Sequence, residues 1–308
     1  MNATPLSGPA DRNGLKKILL WLRIVRPQTL FASLIPVLVG LLVARRSGLL
    51  AKAFLPAFNT DFYPLLTGIV TVFCALSLQI LSNLINDYYD YLRGTDKAGR
   101  AGFKRALAEG EVTRGQMRAA CLTALGCALL SGAYLVLAGG WPILLIGISA
   151  ILFAWLYTAT SHSLSYLGIA DLFVFLYYGV IASAGTFWLQ TQVFSVAAFH
   201  AGAVCGLISM CVLMINNLRD RESDREAGKK TLPVRIGKRA AEGMMLAEVL
   251  LMPFFAYLVF GWSPAMLVGI AGLGLFAAVR KAQGTGYNRC LLAAGLVNLL
   301  YFFLCLVS

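Results

Sequence analysis

Apolar runs long enough to cross a bilayer recur nine times, at about 27–46, 62–90, 114–138, 141–160, 168–189, 197–219, 241–261, 263–280 and 287–307. A hydrocarbon core takes roughly 17 to 25 such residues as an α-helix, because no water is there to satisfy an open backbone. Nine repeats leave little besides an all-α, polytopic membrane protein. Charge agrees: 13% of the 308 residues are Asp, Glu, Lys or Arg, against about 25% in soluble domains. The short links at 139–140 and near 262 are expected to close two helical hairpins, with Gly139-Gly140 and Pro264 as breakers. One membrane-embedded domain is expected over 1–308, with 1–16 a flexible tail that is not a cleaved signal.

Lys and Arg set the expected orientation. Of 26, 23 fall before the first run or after the second, sixth and eighth. Only Arg45, Arg46 and Lys52 follow the first. Nine spans place all 23 on one side. The expectation is therefore a multi-pass protein of the cell inner (cytoplasmic) membrane, N-terminus cytoplasmic and C-terminus outside.

The seven cysteines are scattered through apolar runs with no CxxC pair, and His162 and His200 are far apart. That pattern speaks against a disulfide framework and against a zinc or histidine metal site. The acids are concentrated instead. Asp87, Asp90 and Asp96 lie in NDYYDYLRGTD, with Glu109 in the following loop; Asp220, Glu222, Asp224 and Glu226 lie in NNLRDRESDREAGKK.

At about 100° per residue, Asn83, Asn86, Asp87 and Asp90 share one helix face, as do Asn216, Asn217, Asp220 and Asp224. Asn86 and Asn216 are 130 residues apart, which reads as an internal duplication of a functional helix. Two facing carboxylate stripes repel unless a cation lies between them. Oxygen ligands alone suit a hard ion, Mg²⁺ or Ca²⁺, and Mg²⁺ is commonly held by one or two carboxylates plus substrate phosphates. Arg93, Lys97, Arg100, Lys104 and Arg105 follow the first stripe, and Arg225, Lys229 and Lys230 the second. Acids for the metal and bases for non-bridging oxygens make a diphosphate site. Each base taken singly also fits a loop that merely sets orientation, and membrane acids alone also fit a cation-binding transporter.

NDYYDYLRGTD and the Asp220–Asp224 pair resemble the two aspartate-rich motifs of the UbiA superfamily of intramembrane aromatic prenyltransferases. Asn86, Asp87 and Asp90 match the first motif; Gly94 stands where its last aspartate is usual, and Asp96 follows two residues later. Together with YLGIADLFVFLYYG, the chain resembles the superfamily's branch that prenylates 1,4-dihydroxy-2-naphthoate. The resemblance implies nine helices and two Mg²⁺ ions between the motifs. It implies transfer of a polyprenyl group from its diphosphate to the naphthoate ring, with loss of CO₂ and diphosphate, to give demethylmenaquinone. Another acceptor, 4-hydroxybenzoate or homogentisate, is the alternative within the class.

The expected metal ligands are Asn86, Asp87, Asp90, Asp96, Asn216, Asp220 and Asp224. The expected diphosphate contacts are Asn83, Arg93, Lys97, Arg100, Arg105, Arg225, Lys229 and Lys230. Asp90 and Asp220 carry the catalytic charge. Asp171 could orient or deprotonate an acceptor hydroxyl, or simply complement a helix N-terminus. Tyr88, Tyr157, Phe173, Tyr177 and Tyr178 are candidates to face an allylic cation, or simply to pack. The expected partners are polyprenyl diphosphate, an aromatic acceptor and membrane lipid, with no nucleic acid.

Overall fold

The computed structural model describes residues 9–50, 62–94, 105–158 and 170–308. Asp96, Lys97, Arg100, Lys104 and the side chain of Tyr157 lie outside the described residues.

Helix follows helix throughout: α1 (Pro9–Val25), α2 (Pro27–Ser47), α3 (Phe62–Leu92), α4 (Arg114–Gly139), α5 (Trp141–Thr158), α6 (Ala170–Phe175), a π-turn (Leu176–Val180), α7 (Ile181–Thr191), α8 (Val196–Arg219), α9 (Arg221–Glu226), α10 (Leu232–Ile236), α11 (Lys238–Phe260), α12 (Trp262–Lys281) and α13 (Gly286–Val307). Eight stretches among the described residues are long and apolar enough to span a membrane: α2, α3, α4, the α6–π-turn–α7 rod, α8, α11, α12 and α13. The fourth expected span, α5, runs from Trp141 to Thr158, where the described residues stop. Among the described residues, eight helices are therefore long and apolar enough to cross and α5 is a further apolar helix, so the expected count of nine is matched approximately. The protein is a multi-pass, all-helical membrane protein.

Helix ends follow local chemistry. Thr113 and Gln116 close a reciprocal capping box at the start of α4, and Ser195 caps α8 through the Ala198 amide. The chain turns at Gly140, φ +72°, as its sequence predicts. At the second hairpin it turns at Gly261, φ +78°, while Pro264 sits inside the first turn of α12. Proline costs no hydrogen bond in that first turn, whereas a positive φ favours glycine. Gly261 is thus the breaker, not Pro264. Helix α1 begins at Pro9, so it takes in the second half of the segment expected to be a tail.

Helix α8 is the hub. It is 72% buried over its span and packs on α2, α11, α13 and the π-turn. Small residues allow that density. A Cβ on Gly206 would lie 2.5 Å from the Phe175 carbonyl oxygen, and one on Gly179 would lie 2.5 Å from the Gly206 backbone. At this crossing the α6–α7 rod relaxes into LYYGV, with Tyr178 at φ −93°, ψ 15°. Such π-turns re-aim the side chains they carry. Here Tyr177 and Tyr178 point into the central chamber.

Candidate functional site

Helices α2, α3, α5, the α6–α7 rod, α8 and α13 enclose a chamber of about 840 Å³. Its walls are apolar along most of their length, with Phe153, Phe173, Tyr177 and Tyr178 on one side. Leu292 and Leu296 of α13 line the chamber yet are 69% and 58% exposed, so it opens sideways along α13. One end is polar, and the two acidic sequences meet there. Asn86, Asp90, Asn216, Asn217, Asp220 and Asp224 all line it.

The acids are buried and matched by cations. Asp90 is 2% exposed and accepts from Lys229 Nζ at 3.2 and 3.3 Å. That contact joins the two acidic regions across 139 residues. Arg26 and Arg105 both donate to Asp87 Oδ1. Asp220 takes a two-pronged contact from Arg219, 2.8 and 2.9 Å, and Arg219 also donates to Asn288 Oδ1 at 2.9 Å. Asp224 accepts from Thr231 at 3.4 Å. Charges withdrawn from water stay only where such partners exist.

The second stripe differs from its sequence reading. Helix α8 ends at Arg219, Asp220 occupies the cap at φ −92°, ψ 6°, and Asp224 belongs to the next short helix. A break replaces the continuous helical face, and both carboxylates still reach the chamber. Several expected site residues make other contacts here. Asn83 lines the chamber and also donates to the Val25 carbonyl at 3.0 Å and to Thr29 at 2.9 Å, fastening the α1–α2 junction to α3. Arg225 is exposed and pairs with Glu222, Lys230 is exposed, and Arg93 is half-buried; none of the three lines the chamber. Tyr88 receives a hydrogen bond from Arg118 and stays outside the lining. Asp171 is buried at the start of α6, with neither carboxylate oxygen hydrogen-bonded among the described residues, and it too lies off the chamber.

Arg26, Arg219, Thr231 and Asn288 are chamber residues that the motifs alone did not mark. Arg26 had one visible signal. It precedes Pro27, and it turns the chain at φ 56° so that its side chain reaches Asp87.

A divalent ion fits this donor set in one way. Among the described residues no three His, Cys, Asp or Glu converge closely enough to hold an ion by themselves. The oxygens present are carboxylates from α3 and from the α8–α9 junction, plus Asn86 Oδ1, which is buried without a hydrogen-bond partner among the described residues. That set suits Mg²⁺ completed by phosphate oxygens and water.

Comparison with known proteins agrees. The UbiA prenyltransferase family profile matches residues 33–306. A 1,4-dihydroxy-2-naphthoate octaprenyltransferase of Escherichia coli K12 is 33% identical over 256 residues, 79% of either chain. The protein of that name in Mycobacterium tuberculosis is 32% identical over 269 residues, 86% of this chain and 87% of its own. A UbiA homolog from Archaeoglobus fulgidus bound to DMAPP and Mg²⁺ has a TM-score of 0.64 at 17% identity, over 93% of this chain and 98% of its own. The same homolog bound to GPP and Mg²⁺ gives 0.65. Motif, chamber and profile converge: the chain belongs to the UbiA prenyltransferase family.

Proposed function

We propose that the protein transfers a polyprenyl group from polyprenyl diphosphate to 1,4-dihydroxy-2-naphthoate, releasing diphosphate and CO₂ to give demethylmenaquinone after oxidation. The observation that carries this reading is the meeting of two acidic elements at the charged end of one apolar chamber. The names of the relatives support the acceptor, and the titles of the structural neighbours support the diphosphate and Mg²⁺.

The residues divide the work. Asn86, Asp90, Asp220 and Asp224 would hold Mg²⁺, with phosphate oxygens completing the coordination, and Lys229, Arg105 and Arg219 would hold the diphosphate. When bound, the metal supplies Lewis acidity that stabilises the departing diphosphate. Lys229 leaves Asp90 for a phosphate oxygen as the ligand arrives, so that buried positive charge keeps a counter-charge throughout. Phe153, Phe173, Tyr177 and Tyr178 keep water from the allylic cation and offer it their ring faces. The acceptor carbon attacks, and the carboxylate it carried leaves as CO₂. The prenyl tail runs out past Leu292 and Leu296 into lipid. The polar end faces the cytoplasm, the side assigned 23 of 26 basic residues. The membrane is the cell inner membrane.

The test supplies purified protein, Mg²⁺ and one polyprenyl diphosphate with carboxyl-labelled acceptors. Labelled CO₂ and diphosphate should appear in equal amounts from the naphthoate. Prenylation of 4-hydroxybenzoate with its label kept, and none of the naphthoate, would move the protein to a sister branch.

A further inference from the structure

Far from the charged end, the chamber holds three polar side chains that the reaction above does not use. Gln79, Ser209 and Asn298 are 7%, 4% and 4% exposed, and all three line the chamber. Gln79 Oε1, Ser209 Oγ and Asn298 Oδ1 have no hydrogen-bond partner among the described residues. A buried polar atom left unpaired is costly, so three in one cavity call for an occupant.

Their spacing places them together. Gln79 lies eleven residues before Asp90 on α3, and Ser209 eleven before Asp220 on α8. Asn298 lies ten residues beyond Asn288, which Arg219 ties to the charged end. At 1.5 Å per residue each is about 15 Å deeper than its charged counterpart. Gln79 and Ser209 also keep the 130-residue offset of the two acidic motifs. The duplication therefore extends to this level, where it supplies neutral groups instead of charged ones.

The atoms state what they need. Two are amide carbonyl oxygens, which only accept, and the third is a hydroxyl. The Gln79 amide nitrogen is already committed to Asn83 Oδ1 at 3.3 Å. The occupant must donate hydrogen bonds, as a pair of O–H groups can, and among the described residues no ionised side chain lines this level to offset a charge on it. A flat apolar body suits the aromatic wall nearby, where Tyr178 lies beside Gln79 and Ser82.

We propose that Gln79, Ser209 and Asn298 form a neutral collar that binds an aromatic hydroquinone, the ring of the reaction product before it leaves for the bilayer. This rests on the prenyl-transfer reading, and it gives the loss of CO₂ a second consequence. The acceptor carries a carboxylate and is held at the charged end; the product ring has lost that charge and can enter the collar. An uncharged site would reject the acceptor, because an unpaired carboxylate pays heavily for leaving water. The collar thus draws the product away from the reacting centre.

The test is equilibrium dialysis of the protein in nanodiscs, kept reduced, with Mg²⁺ and inorganic pyrophosphate present to fill the charged end. The probes are 2-prenyl-1,4-dihydroxynaphthalene and its dimethyl ether, which accepts hydrogen bonds but cannot donate them. The hydroquinone should bind about tenfold more tightly, the worth of one to two hydrogen bonds. Gln79→Leu, Ser209→Ala and Asn298→Leu combined should bring the two probes to equal affinity. Equal affinities in the unaltered protein, a collar filled by water alone, would overturn the proposal whether or not the variant folds. So would a preference that survives the triple substitution, or one seen only when pyrophosphate is left out. Diphosphate release, assayed on the same sample, reports separately on the prenyl-transfer reading.

Discussion

The acidic end of α3 and the acidic end of α8 carry related residues 130 positions apart, and they are built differently. On α3 the helix runs unbroken through Asp87 and Asp90, whose side chains are 4% and 3% exposed, and the cations come from elsewhere in the chain. On α8 the helix stops one residue before Asp220, whose side chain is 12% exposed and is met by its own neighbour Arg219. The first end depends on long-range contacts: Arg26 from 61 residues away and Lys229 from 139. The second end takes its two-pronged contact from an adjacent residue, although that arginine also reaches Asn288, 69 residues on. The two acidic ends are thus a rigid half, inside an unbroken helix, and a more local half, at a helix end.

Loss of charge at the shared chamber should have the largest effect. Asp90→Asn and Asp220→Asn should each lower the rate of prenyl transfer by about 10²-fold or more, as removal of a stabilising charge at a reacting centre does. Turnover assays at ordinary Mg²⁺ check this, and near-normal rates in either variant would break the pairing of the two ends.

Asp87 sharpens the contrast, because its two arginine contacts make it a fastener. Asp87→Asn takes the carboxylate from between Arg26 and Arg105, a loss of about 3 kcal/mol of stability by analogy with broken buried pairs. Asp220→Asn should cost less, since Arg219 keeps Asn288. Unfolding measurements on the two variants side by side should rank them in that order; the reverse ranking would mean that the local half is the rigid one.

A smaller effect is expected at Lys229. Replacement by Met should raise the KM for polyprenyl diphosphate about tenfold, the cost of one charged contact. Arg225→Met should change it by less than about twofold, because an exposed pair with Glu222 contributes little. Steady-state kinetics distinguish the two, and equal effects would place Arg225 at the ligand.

Much of this was legible in residue order. Period and length gave the spans, and the Asn–Asp spacing on α3 gave a face of which Asn83, Asn86 and Asp90 line the chamber while Asp87 pairs with Arg26 and Arg105. What stayed hidden depends on contacts between distant segments. Arg26 reads as an orientation charge until the turn at Pro27 carries it to Asp87. The π-turn at Leu176–Val180 leaves no mark in composition, because it arises where Gly179 meets Gly206 and the two backbones need room. Asp220 looks helical by spacing, yet α8 ends before it. Asp171 reads in sequence either as an acceptor contact or as an acid at a helix N-terminus, and its burial off the chamber follows from where α6 packs on α8. The orphaned atoms of Gln79, Ser209 and Asn298 need coordinates to be noticed at all.

The central claim is that the rigid and the local end act on one diphosphate. Mg²⁺-dependent binding of an unreactive prenyl thiolodiphosphate tests it most directly, in the unaltered protein, Asp90→Asn, Asp220→Asn and the combined variant. If both ends hold one ligand, each single variant should lose about tenfold or more in affinity, and the combined variant should lose little beyond the worse of the two. Losses that simply multiply, as for two independent sites, would contradict the account.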